Sequence, residues 1–160
     1  EMDSSARRCK DLINIFLGFS RINNPIDSLA NISDAFNQSL KLLRSRMIES
    51  NIFLIFKNNK MVGTFNKKVN HSVLTIVFYL ILNEILIKAS KTKLVTQFYH
   101  ANDGPVKLNG IFIEKEDSIE IVIDEIEQID LGLEKVKLLK QLILMEGLIL
   151  QKLENTVNIK

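Results

Sequence analysis

Tryptophan is absent from this 160-residue chain, and cysteine occurs once, proline twice and glycine six times. A lone cysteine closes no intramolecular disulfide, which points to a reducing, cytoplasmic setting. Cys9 falls on an apolar helix stripe and reads as an inert core residue. The glycines are scattered, so no loop is expected to cradle phosphate. The two histidines, His71 and His100, have no Cys, Asp or Glu at metal-ligand spacing, and no metal is expected. Neither stands in a serine or cysteine arrangement suited to nucleophilic catalysis. His100 precedes the turn "ANDGP" as a loop residue. His71 opens a helix in a capping or surface role, a phosphoryl-carrying role being the lesser alternative. No stretch reaches the roughly 18 consecutive apolar residues of a membrane span. The best, "VLTIVFYLILNEILI", is too short and is interrupted by Asn83 and Glu84, so it reads as a buried helix and no membrane partner is expected. The polar, charged N-terminus does not resemble a signal peptide.

What is present is a core. Hydrophobic residues make up 46% of the chain, enough to exclude global disorder. The 21 basic and 19 acidic side chains are mixed along it, and the net charge of +2 does not call for nucleic acid. Lys57, Lys60, Lys67 and Lys68 cluster without interleaved exposed aromatics, which fits a solvated hairpin better than a nucleic-acid groove.

Periodicity then orders the elements. "SSARRCKDLINIFLGFSR" places Cys9, Leu12, Ile13, Phe16, Leu17 and Phe19 on one stripe of a helix from about Ser4 to Arg21. Pro25 disfavours helix at Asn24 and ends it. After the cap-type residues Asp27, Ser28, Asn31 and Ser33, a second helix carries Ile32, Ala35, Phe36, Leu40 and Leu43, ending near Ser50. "NIFLIF" is a buried strand, "KNNK" a turn of hairpin type and "MVGTF" a weak returning strand. The run from His71 to about Ser90 is a helix buried on nearly all sides. "KLVTQFYH", "VKLNGIFIEK" and "SIEIVIDEI" are strand-like. In the second, Leu108, Gly110, Phe112 and Glu114 share a face; in the third, Ile119, Ile121 and Ile123 do. A helix from about Leu131 to Met145 turns Leu133, Val136, Leu139, Leu142 and Ile143 inward. Gly147 stops it, and "LILQKL" with "TVNIK" forms a closing hairpin. The expected fold class is α+β: a helical segment, then an α/β sandwich with helices on one face of a mixed sheet.

In their order, these segments resemble the dimerisation and nucleotide-binding core of sensor histidine kinases. "SSARRCKDLINIFLGFSRI" is similar to the second helix of the dimerisation hairpin, "SVLTIVFYLILNEILIKAS" to the helix with a Mg-binding asparagine, represented by Asn83, and "LGLEKVKLLKQLILMEGLIL" to the "GLGL" helix and following strand, with Gly132 in its opening. The resemblance divides the chain into residues 1–24, the second hairpin helix, and residues 25–160, a degenerate nucleotide-binding domain. The first hairpin helix, which in the family bears the phospho-accepting histidine, is not within these residues.

The departures matter as much. ATP-binding members follow an aspartate with closely spaced glycines, whereas "VIDEIEQID" has Asp124 and none, and Glu125 and Glu127 add negative charge. Only seven residues separate Ile123 from Leu131, too few for a long ATP lid. Asn83, Asp124 and Gly132 are therefore vestigial positions, and no cofactor is expected. The pattern resembles the ChpT-type histidine phosphotransferases of alphaproteobacteria, which lack kinase activity and pass a phosphoryl group between response-regulator receiver domains. That resemblance implies a homodimer formed through the N-terminal helix, in a four-helix bundle. It implies receiver domains as partners, docking on the exposed side of that helix at Arg7, Arg8, Asp11, Asn14 and Ile15. The alternatives are a fragment of a true, ATP-binding sensor histidine kinase and a non-enzymatic adaptor with the same fold.

Overall fold

The computed structural model describes residue 13 and residues 31–57, 60–91, 104–124 and 130–160. The first helix, the strand expected at "KLVTQFYH" and His100 lie outside them, apart from Ile13, which is helical and 54% exposed.

Helix α1 spans Ile32–Ser50. Asn31 caps it, its side-chain oxygen accepting the Asp34 N–H at 3.1 Å, which satisfies a donor the first turn leaves open. The helix ends where Asn51 turns left-handed at φ 55. Its inward face is Ile32, Ala35, Phe36, Leu43 and Met47, with Leu40 packed beside them. Strand β1 (Ile52–Phe56) and the short strand β2 (Lys60–Met61) follow.

The hairpin expectation for "KNNK" is wrong. Strand β3 (Val106–Glu114) pairs parallel with both, Ile52–Phe56 lying against Val106–Gly110 and Lys60–Met61 against Ile113–Glu114. The chain thus keeps its direction between β1 and β2, and "MVGTF" contributes only Met61 to the sheet. Met61 and Val62 are 68% and 70% exposed, so that segment lacks the buried face a returning strand would need.

Helix α2 (His71–Lys91) is the crossover that parallel pairing of β1 and β3 requires. Its cap is Asn70, whose Oδ1 accepts the N–H groups of Ser72 and Val73, so of the capping or surface role expected of His71 the capping part falls to its neighbour. At 21 residues α2 is longer than the uninterrupted apolar run and passes, by length and composition, for a membrane span. Its side chains are instead spent on the core: Val73, Leu74, Val77, Phe78, Ile81, Leu82, Ile85 and Leu86 are all buried there.

Strand β4 (Ile119–Ile123) runs antiparallel to β3, and the hairpin β5 (Leu150–Leu153) and β6 (Thr156–Ile159) completes the order β1-β3-β4-β6-β5. The expected alternation holds. Leu108, Gly110, Phe112 and Glu114 share the buried face of β3, and Ile119, Ile121 and Ile123 that of β4. The helix expected from Leu131 begins later. Leu133–Lys135 form one 3-10 turn, Val136 is extended, and α3 covers Lys137–Met145. Leu133, Leu139, Leu142 and Ile143 still point inward, because a 3-10 turn preserves the i, i+3 spacing that the periodicity reported. Gly147, at φ +63, ends α3. Its N–H and that of Leu148 donate to Leu144 and Ile143 carbonyls in a Schellman arrangement.

Helices α1, α2 and α3 bury their apolar faces in one core with a single face of the sheet. At its centre Phe36 stacks on Phe112 with ring centroids 4.1 Å apart, and Phe56 and Phe78 meet Phe36 edge-on.

Candidate functional site

Asn83 sits two-thirds of the way along α2 and is 8% exposed. An amide at that depth costs free energy unless it is hydrogen-bonded. Its Oδ1 accepts from Nη1 of Arg46, on α1. The packing of α1 against α2 positions that guanidinium, so the carbonyl oxygen of this position, read from sequence as vestigial, faces a resident cation.

Asp124 follows the last residue of β4 and is exposed. Its N–H donates to the Asn109 carbonyl at 3.2 Å, and its carboxylate has no partner among the described residues. Gly132 is buried and left-handed at φ +57. Its N–H donates to Asp130 Oδ1 at 3.1 Å, and its carbonyl accepts the Lys135 N–H at 2.9 Å, so it sets the 3-10 turn ahead of α3. No hydrogen bond or ion pair joins Asn83, Asp124 and Gly132 to one another among the described residues. The docking residues Arg7, Arg8, Asp11, Asn14 and Ile15 lie outside those residues.

Nε2 of His71 lies 3.1 Å from Gln38 Oε1, an amide oxygen that accepts, so this imidazole helps join α1 to α2. Lys67 donates to the Gly147 carbonyl at 2.9 Å, and the Asn70 N–H to Glu146 Oε2 at 3.0 Å. Part of the lysine cluster thus fastens the segment before α2 to the end of α3. Among the described residues no group of three or more His, Cys, Asp or Glu side chains could hold a metal ion.

Two features were not expected from sequence. One is Arg46, whose role depends on a residue 37 positions away. The other is a groove of about 580 Å³ between the Gly132 turn, α3 and β5. Leu131, Leu133, Leu139, Ile143 and Leu148 line it, with Asp130, Glu134, Lys140 and Lys152 also contributing. Aliphatic walls with these charges suit docking more than bond-making.

No known family model and no curated protein sequence matches the chain. Solved structures do. The cytoplasmic segment of histidine kinase QseC superposes with a TM-score of 0.53 at 10% identity, over the whole of this chain and 93% of that one. The catalytic domain of histidine kinase ThkA, in a nucleotide-free form, gives 0.44 at 12% identity, over 81% of this chain and 90% of that one. The QseC likeness, with the mixed sheet and its one-sided helical layer, establishes a histidine-kinase-like α/β fold.

Proposed function

We propose that this chain is a phosphorelay histidine phosphotransfer protein without ATP-dependent kinase activity, acting between response-regulator receiver domains in the cytoplasm. The observation that carries the reading is the hydrogen bond from Arg46 to Asn83. In a kinase-like fold an asparagine in this helix serves a metal-nucleotide complex, and here a guanidinium uses its oxygen. The sequence after Asp124 agrees, because Glu125, Ile126 and Glu127 bring side chains and negative charge where close backbone approach to phosphate would need glycine. The residues present therefore do not fit a Mg-nucleotide.

In this reading residues 1–24 are the second helix of a dimerisation hairpin and residues 25–160 a domain that has kept the fold after losing the nucleotide. Ile13, on the apolar stripe yet 54% exposed, supports a helix whose apolar face is covered by the other helices of a homodimeric bundle. Arg7, Arg8, Asp11, Asn14 and Ile15 would form the docking face for a receiver domain. The acceptor is a histidine on the first hairpin helix. Its imidazole nitrogen attacks the phosphorus of a receiver's aspartyl phosphate; an N–P bond forms, the acyl O–P bond breaks, and the aspartate leaves as carboxylate. The reverse step loads the next receiver.

The test mixes a phosphorylated receiver domain with the protein carrying both hairpin helices. Label appearing on the protein at an acid-labile, histidine-type bond supports the reading. Label on the protein from ATP alone, in the absence of a receiver, favours the true kinase. No label from either source favours the adaptor.

A further inference from the structure

Strand β5 is an edge of the sheet, and its pairing with β6 fixes which of its backbone groups are free. Ile149 and Lys160 exchange both hydrogen bonds, at 2.7 and 2.8 Å. In an antiparallel ladder alternate residues turn to opposite sides. The N–H and C=O of Leu150 and Lys152 therefore point away from β6 and meet no strand among the described residues. Two aliphatic side chains at this edge are exposed. Ile149, just before the strand, and Leu153, its last residue, are 56% and 58% exposed and turn with Gln151 to the face opposite the core.

We propose that this edge pairs with the same edge of a second copy of the chain. The register is self-complementary about Gln151. A two-fold axis there sets Leu150 against Lys152 of the second copy, and each such pair exchanges two backbone hydrogen bonds. It sets Ile149 against Leu153 and Gln151 against Gln151 at the closer, non-hydrogen-bonded positions, where facing Cα atoms approach to about 4.5 Å. Each exposed aliphatic side chain on that face thus meets another, the neutral amides meet each other, and Lys152 stands opposite Leu150 and not opposite its own copy. The charges lining the adjoining groove, Asp130, Glu134, Lys140 and Lys152, sum to zero. That favours a copy of the same surface over a partner of one sign. The contact is isologous and closed, and it is separate from the helical bundle.

The experiment is sedimentation equilibrium of the full chain over a wide concentration range, for the wild type, Ile149→Glu, Leu153→Glu and, as a control on the surface of α1, Ile48→Glu. Ile48 is 60% exposed, and all three sites tolerate a charge in the monomer. Circular dichroism verifies that each variant is folded. The edge variants are expected to lose one association step, with at least a tenfold weaker constant, while Ile48→Glu matches the wild type. In the wild type, amide exchange at Leu150 and Lys152 should slow as concentration rises. A charge on the N-terminal stripe, Phe16→Glu, reports separately on the bundle. If the edge variants keep the wild-type mass at every concentration, or those two amides stay unprotected, edge pairing is wrong whatever the bundle does.

Discussion

Arg46 on α1 donates a hydrogen bond to the Asn83 side-chain oxygen on α2, closing the helix pair over the one amide set deep in an apolar helix. The bond satisfies a group that would otherwise be stranded.

Arg46→Ala should destabilise the fold by about 1–2 kcal/mol, the cost of leaving a largely buried amide oxygen unpaired, discounted because the arginine itself is exposed. Asn83→Leu should cost less, since it removes the acceptor and frees the guanidinium to water. A double-mutant cycle read by urea denaturation should return a coupling near 1 kcal/mol. Coupling indistinguishable from zero would show that the pair does not hold.

Glu114 ends the buried face of β3 at 4% exposure, and its Oε1 accepts the Phe65 N–H at 3.2 Å. Its backbone oxygen accepts the Val62 N–H at 2.9 Å. This residue moors the segment between β2 and α2. Glu114→Gln keeps an acceptor and should lie within about 1 kcal/mol of wild type. Glu114→Leu should expose Phe65 and its neighbours to faster amide exchange. Equal exchange in both variants would mean that the side-chain bond is dispensable.

Gly110 lies where β3 passes under Phe56. A Cβ there would come within 2.7 Å of both the Phe56 ring and the Val122 carbonyl oxygen. Gly110→Ala should lower stability by about 1–3 kcal/mol through overpacking of the aromatic centre. Gly110→Ala with Phe56→Leu should recover part of the loss, as measured by thermal denaturation.

The parts of this fold that could be read from sequence are those with a period. Ile119, Ile121 and Ile123, or Ile32, Ala35, Phe36 and Leu43, announce a buried face because each pattern repeats along its own element. Direction across a polar break has no such signature. "KNNK" suits a hairpin as well as an interruption between two strands running the same way, and only the register of β3 decides it. The start of α3 was blurred because Leu133 and Val136 keep helical spacing through a 3-10 turn. Asn83 stood out as an amide in an apolar run. Arg46 did not, since nothing local marks an arginine on a mixed helix surface as the partner of a residue on the next helix.

In the proposed function the fold persists without the nucleotide. Isothermal titration of the chain with ATP and with a non-hydrolysable analogue, Mg²⁺ present, tests it most directly. No saturable heat is expected at any concentration up to the millimolar range. Saturable one-to-one binding in the micromolar range would contradict it and place the chain among the ATP-binding kinases.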